Sequence, residues 1–332
     1  LLERGDEVHV VDPIVPGTGG LPLFEWPLFN PGKYNNGPTR FVLYPNDCRS
    51  WFRYNYDLHF DYAFHLAAIV GGREMIENNP LSVADDLSID AAYWQWAAIA
   101  RPGKSVIFSS SAAYPIHLQR AYVQGPLRER DISFTLGCGT IGSFTLGCGT
   151  IGVPDLTYGW SKLTMEYLAR LAYEKHGLKS ICFRPFSGYG EDQDMAYPFP
   201  SLCKKVLDYK DHPAVPVEVW GTGEQMRDFI YIEDCIDGVL TMMDKIDDGS
   251  AVNLSTGVAT SFNDIIRLAS EVAGYAIVPQ IRPLSDKPVG VFCRVGDTSK
   301  QRSLGFTPKV SLREGVSRVV SYLGTLREEC RR

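Results

Sequence analysis

The chain has 332 residues, a formal net charge of -6, and a composition that is 45% hydrophobic and 22% charged. That length and apolar content suffice for one large or two ordinary domains with a full core, and the acidic balance offers no basic footprint to nucleic acid. No apolar run approaches the roughly 20 residues needed to span a bilayer, which argues against a membrane partner. Leu1-Leu2-Glu3-Arg4-Gly5 also lacks the charged and apolar regions of a signal peptide. The eight cysteines show neither paired C-x-x-C spacing nor a flanking histidine pattern, so no metal site is expected. Sparse thiols in a chain this long fit a reducing cytoplasm.

Leu1 to Gly5 reads as the tail of a helix closed by Gly5. The expectation is that an N-terminal part precedes it. Glu7 to Val11 reads as a strand ending in Asp12. In a dinucleotide-binding βαβ unit, an acid at the end of the second strand bonds the adenosine ribose hydroxyls and disfavours a 2′-phosphate, which points to NAD over NADP. The competing reading is an aspartate opening a turn before Pro13. Pro16 to Pro38 reads as a long loop, and Phe41 to Tyr44 as a short strand. Asp47, just after it, is placed to meet an adenine amino group or simply to begin a turn.

Asp61 to Ala68 reads as a buried strand running into the small residues Ala67 and Ala68, which let a cofactor approach the backbone. His65 on it is expected as a packed core histidine. Pro80 to Ala100 reads as one helix. Ser105 to Phe108 is the next strand, and it delivers Ser109, Ser110 and Ser111 at its C-terminal end, where open α/β sheets bind ligands. Ser133 to Gly142, SFTLGCGTIG, is repeated letter for letter from Ser143 to Gly152. Each copy contains G-x-G-x-x-G. No amphipathic helix follows directly and no strand-end acid lies about 20 residues on, so this is not a dinucleotide fingerprint. Two copies are also too few for a solenoid. A duplicated surface loop is the expectation.

Tyr158 and Lys162 lie four residues apart at the start of a helical stretch that continues through His176. That spacing puts both side chains on one face, about one turn apart. A lysine ammonium near a phenol favours the phenolate, and such a tyrosine exchanges protons with an alcohol near neutral pH. A tyrosine half-buried on a helix with a solvated lysine is the plain alternative. Ser110 can supply a hydroxyl to the same place.

Ser180 to Pro185 is a further strand, and Ser187 to Gly190 a turn. In the segment from Gly221 to Tyr231, Arg227 can pair with a diphosphate, a planar donor meeting phosphate oxygens, or form a surface ion pair with Asp228 or Glu224. Ile232 to Met243 reads as a helix, Val252 to Ser255 as a strand, and Phe262 to Ala273 as an amphipathic helix capped by Ser261 or Thr260. Arg294 and Asp297 precede a small C-terminal helical region. Strands alternating with helices imply a parallel sheet covered on both faces.

These motifs agree in order and spacing. With His65-Leu66-Ala67-Ala68, the serines before Tyr114-Pro115, Tyr158-x-x-x-Lys162 and Arg184-Pro185-Phe186-Ser187-Gly188-Tyr189-Gly190, the chain resembles the NAD-dependent epimerase/dehydratase family, the extended short-chain dehydrogenase/reductases acting on nucleotide sugars. Gly221-x-Gly223-x-Gln225-x-Arg227 and Asp297-x-Ser299-Lys300 before Leu304-Gly305-Phe306 extend the likeness over nearly the whole chain. Ser-Ala-x-Tyr-Pro and Val70-Gly71-Gly72 look closest to GDP-mannose 3,5-epimerase-like members.

The resemblance implies an α/β Rossmann fold, a doubly wound parallel sheet formed by residues 1–186 and about 229–260. A smaller C-terminal α/β domain, residues 187–228 and 261–332, would bind the nucleotide sugar. It implies Tyr158 as acid/base, Lys162 on the nicotinamide ribose and Ser110 on the sugar oxygen. Asp12, Asp47, Leu66, Ala67, Ala68 and Pro185 would line NAD. Ser111, Ser187, Arg227 and Arg294 would contact a nucleotide-diphosphate sugar, the two arginines at its diphosphate. NAD would take a hydride from the sugar C4 and return it, in a homodimer assembled through helices that include the one carrying Tyr158.

Some positions depart from the pattern. The glycine-rich first turn and the central first strand are absent from the sequence. Ser111-Ala112 stand where dehydratases carry Asp-Glu, Ala112 replaces the cysteine of 3,5-epimerases, and Ser187 replaces an asparagine. A C4 epimerase is therefore the first expectation. A dehydratase or reductase on the same scaffold, and a binding or regulatory protein that has lost the chemistry, are the alternatives.

Overall fold

The structure is a computed structural model that describes residues 1–13, 41–69, 71–120, 125–134 and 152–329. Val70 and most of the duplicated segment lie outside the described residues. In chain order the first part runs β1 (Val8–Val11), β2 (Phe41–Tyr44), α1 (Cys48–Phe52), β3 (Tyr62–His65), α2 (Arg73–Asn78), α3 (Pro80–Val83), α4 (Asp86–Ala100), β4 (Lys104–Phe108), α5 (Leu156–His176) and β5 (Ser180–Pro185). The rest is β6 (Ser187–Tyr189), α6 (Pro198–Asp208), β7 (Val217–Trp220), β8 (Met226–Arg227), β9 (Phe229–Tyr231), α7 (Ile232–Met242), β10 (Asp248–Leu254), β11 (Thr260–Ser261), α8 (Phe262–Val272), β12 (Ile281–Leu284), β13 (Cys293–Arg294), α9 (Ser299–Ser303) and α10 (Leu312–Glu329).

Strands β10, β5, β4 and β3 form a parallel sheet in that order. Successive residues of its central strands bury on opposite faces, as expected of a sheet covered on both sides. Ile107 and Cys182 join Trp94, Ala97, Met165 and Ala169 of α4 and α5 on one face. Val106, Ile181 and Phe183 join Val239 and Met242 of α7 on the other. Strands β1 and β2 form a separate parallel pair, Val8 opposite Phe41 and Val11 opposite Tyr44. Among the described residues no ladder joins that pair to β3. Side chains fill in here: the His9 ring lies 5.3 Å from Phe60, edge-on.

A second core gathers Phe199, Leu202 and Val206 of α6, Ile265 and Ile266 of α8, and Val316 and Val319 of α10 around Tyr189, Val217, Val219, Phe229 and Tyr231. Helix α6 has no counterpart among the sequence expectations. Pro198 at its first turn suits a helix start, and its apolar spacing follows this core.

Several expected bounds shift. The helix foreseen over 80–100 is broken into α3 and α4. At the break, the Asp85 carboxylate accepts from Arg49 Nη1 and from Ser88 Oγ at 2.7 Å, local bonding that competes with a continuing helix. Ser187 to Tyr189, expected as a turn, is strand β6, held in parallel register with Phe229 to Tyr231. The strand foreseen over 61–68 stops at His65. Helix α8 carries the expected Ser261 cap, reinforced by Asp264 in a capping box.

Candidate active site

Strands β3, β4 and β5 are parallel, so Leu66 to Ala68, Ser109 to Ser111 and Pro185 come to the same edge of the sheet. After β4 the chain makes a single 3-10 turn, Ser111–Ala113, and Ser110 caps it by accepting the Ala112 amide on Oγ at 3.1 Å. That turn docks on the start of α5. The Asp155 amide donates to the Ala112 carbonyl at 3.1 Å. A Cβ on Gly159 would lie 2.5 Å from the same carbonyl oxygen, so only glycine allows the approach. The turn that follows Ser110 and the first turn of α5, which carries Tyr158, are thereby packed together, although 48 residues separate Ser110 from Tyr158.

Tyr158 is half-buried on the first turn of α5. Lys162 is 4% exposed, with Nζ 5.6 Å from the centre of the Tyr158 ring. Among the described residues its ammonium makes no hydrogen bond or ion pair. Its charge acts on Asp86, from α4. Asp86 is 1% exposed, accepts the Ile69 amide on Oδ1 and leaves Oδ2 without a partner among the described residues. Burial pushes its carboxyl up to about 6, against the opposing pull of Lys162. Below it, His65 is a core residue as expected, bonded to Asp90 at 2.9 Å and stacked on Tyr93 at 4.2 Å.

Tyr197 also belongs here, and no sequence signal marked it. Burial and then the nearby Tyr158 push its phenol up to about 12.

The other expected residues separate by role. Leu66 is 63% exposed directly beyond β3, an apolar side chain left open at the strand end, while Ala67, Ala68 and Pro185 are half-buried. Asp12 follows β1 and is exposed. Asp47 acts as a helix cap: it accepts the Arg49 amide at 2.8 Å at the start of α1, and bonds to the Arg49 side chain hold its carboxyl below the usual range despite burial. Ser111 is buried inside its turn. Ser187 opens β6 and donates its amide to the Asp228 carbonyl at 2.9 Å.

Arg227 and Arg294 are register partners across the parallel β8–β13 ladder. Arg294 Nη2 meets Asp155 Oδ2 at 2.7 Å, and its Nε donates to Gln119. Arg73, which nothing in the sequence singled out, meets the other oxygen, Oδ1, at 2.8 Å. Arg227 has no carboxylate partner among the described residues. It donates to the Met226 and Val289 carbonyls and lies over the Phe262 ring at 5.6 Å. The alternative of an ion pair with Asp228 or Glu224 is thus overturned. Asp228 is buried and accepts from Thr256, Gly257 and Gly296, and Glu224 accepts from Asn263. Burial and the neighbouring Arg294 depress the basicity of Arg227, yet a guanidinium stays charged near neutrality. Arg227 is thus a half-buried cation beside a second arginine, an arrangement chemically suited to an anion.

Residues 46–255 match the family model described as the NAD dependent epimerase/dehydratase family. The chain belongs to this family. Members similar to it include GDP-L-fucose synthase 1 of Arabidopsis thaliana, 30% identical over 48% of this chain and 49% of that protein. Another is an uncharacterized UDP-glucose epimerase of Bacillus subtilis, 30% identical over 51% of this chain and 52% of that one. The chain thus spans about half the length of the curated relatives it matches. UDP-glucose 4-epimerase from Thermotoga maritima, crystallised with UDP-glucose, superposes with a TM-score of 0.74 at 23% identity, covering 98% of this chain and 94% of that one. For dTDP-glucose 4,6-dehydratase from Streptomyces venezuelae, crystallised with NAD, the TM-score is 0.76 at 18% identity, covering 98% and 89%. These two likenesses show the Rossmann α/β fold that epimerases and dehydratases of the family share.

Proposed function

We propose that the chain epimerises a nucleotide-diphosphate sugar at the sugar C4, with NAD as a recycled cofactor. One observation carries this reading. Asp155, three residues ahead of Tyr158, binds Arg294, the register partner of Arg227. An acid/base pair suited to an alcohol therefore adjoins a cation pair suited to a diphosphate.

The described residues fit the nicotinamide end of the cofactor. The Lys162 ammonium is buried without a hydrogen-bond acceptor among the described residues, and ribose hydroxyls would supply one. Leu66 offers exposed apolar surface, with Ala67, Ala68 and Pro185 beside it. Asp12 and Asp47 would serve the adenosine. When bound, NAD supplies reversible acceptance of a hydride from C4.

In this scheme Ser110 holds the C4 oxygen while Tyr158 takes the hydroxyl proton and later returns it to the same oxygen. Lys162 would hold the nicotinamide ribose. Inversion requires the opposite face of the sugar ring to be presented. Arg227 and Arg294 fix the diphosphate and leave the ring free to turn about it. In the same scheme Ser111 and Ser187 would contact the sugar. Ser111 and Ala112 carry no carboxylate, which disfavours elimination of water.

A cytoplasmic homodimer through α5 completes the proposal. That helix leaves Trp160, Tyr167 and Tyr173 exposed, and no described helix is long and apolar enough to cross a membrane. The test is incubation with NAD and a panel of UDP- and GDP-hexoses. The expected result is the C4 epimer without net NADH. A 4-keto product absorbing in alkali would mean dehydration, and net consumption of reduced cofactor would mean reduction. Binding without turnover would mean a protein that kept only the site.

A further inference from the structure

Asp155 occupies the N-cap of α5 yet does not cap it: its side chain accepts none of the first-turn amides. Aspartate is among the strongest N-cap residues, so its carboxylate has been drawn elsewhere. Both oxygens are spent on arginines, Oδ1 on Arg73 and Oδ2 on Arg294. The next residue, Leu156, takes φ +53, a region that leucine rarely adopts. The helix start is bent so that this carboxylate reaches the arginines.

Arg73 reaches the same place from the other side. Its Cζ lies 3.1 Å from where a Cβ on Gly290 would sit, at a glycine with φ +66. The neighbouring Val289 carbonyl accepts from Arg227. Arg73, Arg227 and Arg294 therefore converge on one spot with Asp155 among them. Glu77 takes the Arg73 Nε at 2.6 Å. Three guanidiniums facing two carboxylates leave one positive charge. The diphosphate of a nucleotide sugar carries two negative charges, so binding beside Asp155 would leave the site negative. With Asp155 displaced, the three arginines balance Glu77 and the diphosphate.

We propose that Asp155 is a resident counter-ion that a substrate diphosphate displaces from Arg294 and Arg73, making Arg73 a third phosphate-binding arginine. This rests on the reading that Arg227 and Arg294 receive a nucleotide diphosphate. The freed carboxylate has a destination in the amides of Thr157 and Tyr158, which stand where an N-cap side chain bonds. Occupancy of the site therefore firms the turn that carries Tyr158.

The test is calorimetric binding of UDP and GDP to the full chain at fixed salt, with amide hydrogen exchange over residues 156–159. Asp155→Asn is expected to bind ~10-fold more tightly than wild type, since a charge-assisted competitor is gone, and Arg73→Gln ~10-fold more weakly. Asp155→Ser, which keeps a capping oxygen without the charge, should shift affinity in the same direction as Asp155→Asn and serves if the asparagine variant does not fold. UDP should slow exchange over 156–159 in wild type and not in Asp155→Asn. If wild type binds but both Asp155 variants bind equally or more weakly, Asp155 is a scaffold for the arginines and the proposal fails. Wild-type affinity in Arg73→Gln removes the third arginine. If neither wild type nor any variant binds UDP or GDP, the diphosphate reading itself is lost, and this inference with it.

Discussion

Arg227 and Arg294 stand opposite each other in the β8–β13 ladder, and among the described residues only Arg294 has a carboxylate. Two guanidiniums on one face of a ladder repel, and burial makes the uncompensated one costly to hold. An anion relieves both terms. Arg227→Ala is therefore expected to weaken UDP or GDP binding by ~10- to 100-fold, the worth of lost charge-assisted hydrogen bonds. Arg227→Lys should recover only part of it, because an ammonium lacks the planar fork. Titration calorimetry measures both, and affinity unchanged in the alanine variant would place the phosphates elsewhere.

Tyr158 and Lys162 share a helix face, with the Ser110 turn docked against them. Tyr158→Phe removes one oxygen and leaves the ring packing in place. Turnover should fall by ~10²- to 10⁴-fold, the usual contribution of a positioned acid/base group. Sugar-nucleotide affinity should stay within about twofold. Initial rates and binding on the same preparation separate the two. A variant that turns over at the wild-type rate would exclude Tyr158 from the proton transfer.

Asp86 makes stability depend on pH. Its folded-state value of about 6 lies above the ordinary 3.8, so the native state binds this proton more tightly than the unfolded chain does. Below about pH 4 both states are protonated and the group contributes nothing. Stability then declines as pH rises toward about 6, and the loss persists above it. Asp86→Asn keeps an acceptor for the Ile69 amide and removes the charge. It should be more stable than wild type at pH 7.5, by on the order of 3 kcal/mol, with the gap closing near pH 4. Urea melts at the two values read this directly. A gap that does not change with pH would mean that Asp86 is not the titrating group.

What the sequence showed and what it hid follow from the range of the interactions. The Tyr158–Lys162 relation is local, set by one helical turn, and the apolar runs of β4 and β5 announce strands buried on both faces. Strands β8, β11 and β13 are two residues each, too short to carry a period, and they exist because of their tertiary partners. The pairings of Asp155 with Arg73 and with Arg294 span 82 and 139 residues, and no spacing rule reaches so far. Asp47 shows the reverse case: a plain turn role explained the residue almost as well as a ligand role did, and the fold shows it capping α1.

The Glu166–Arg184 pair lies one turn beyond Lys162 on the same helix and fastens that face to β5. Both side chains are almost fully buried, and Arg184 donates to the two carboxylate oxygens at 2.8 and 2.6 Å. Glu166 also accepts from Ser109, the neighbour of Ser110. Arg184 stacks 4.7 Å over Tyr114, whose hydroxyl donates to Asn253 of β10. Removing one charge leaves the other buried and uncompensated, so Glu166→Leu and Arg184→Met should each lose about 3 to 5 kcal/mol of stability. Replacing both, with Glu166→Leu and Arg184→Met, removes two desolvated charges together. The double variant should therefore lose much less than the sum of the single losses. Denaturant unfolding of the four proteins closes the cycle. Strict additivity would show that each residue acts through packing alone, and that α5 is not fastened to β5 by this ion pair.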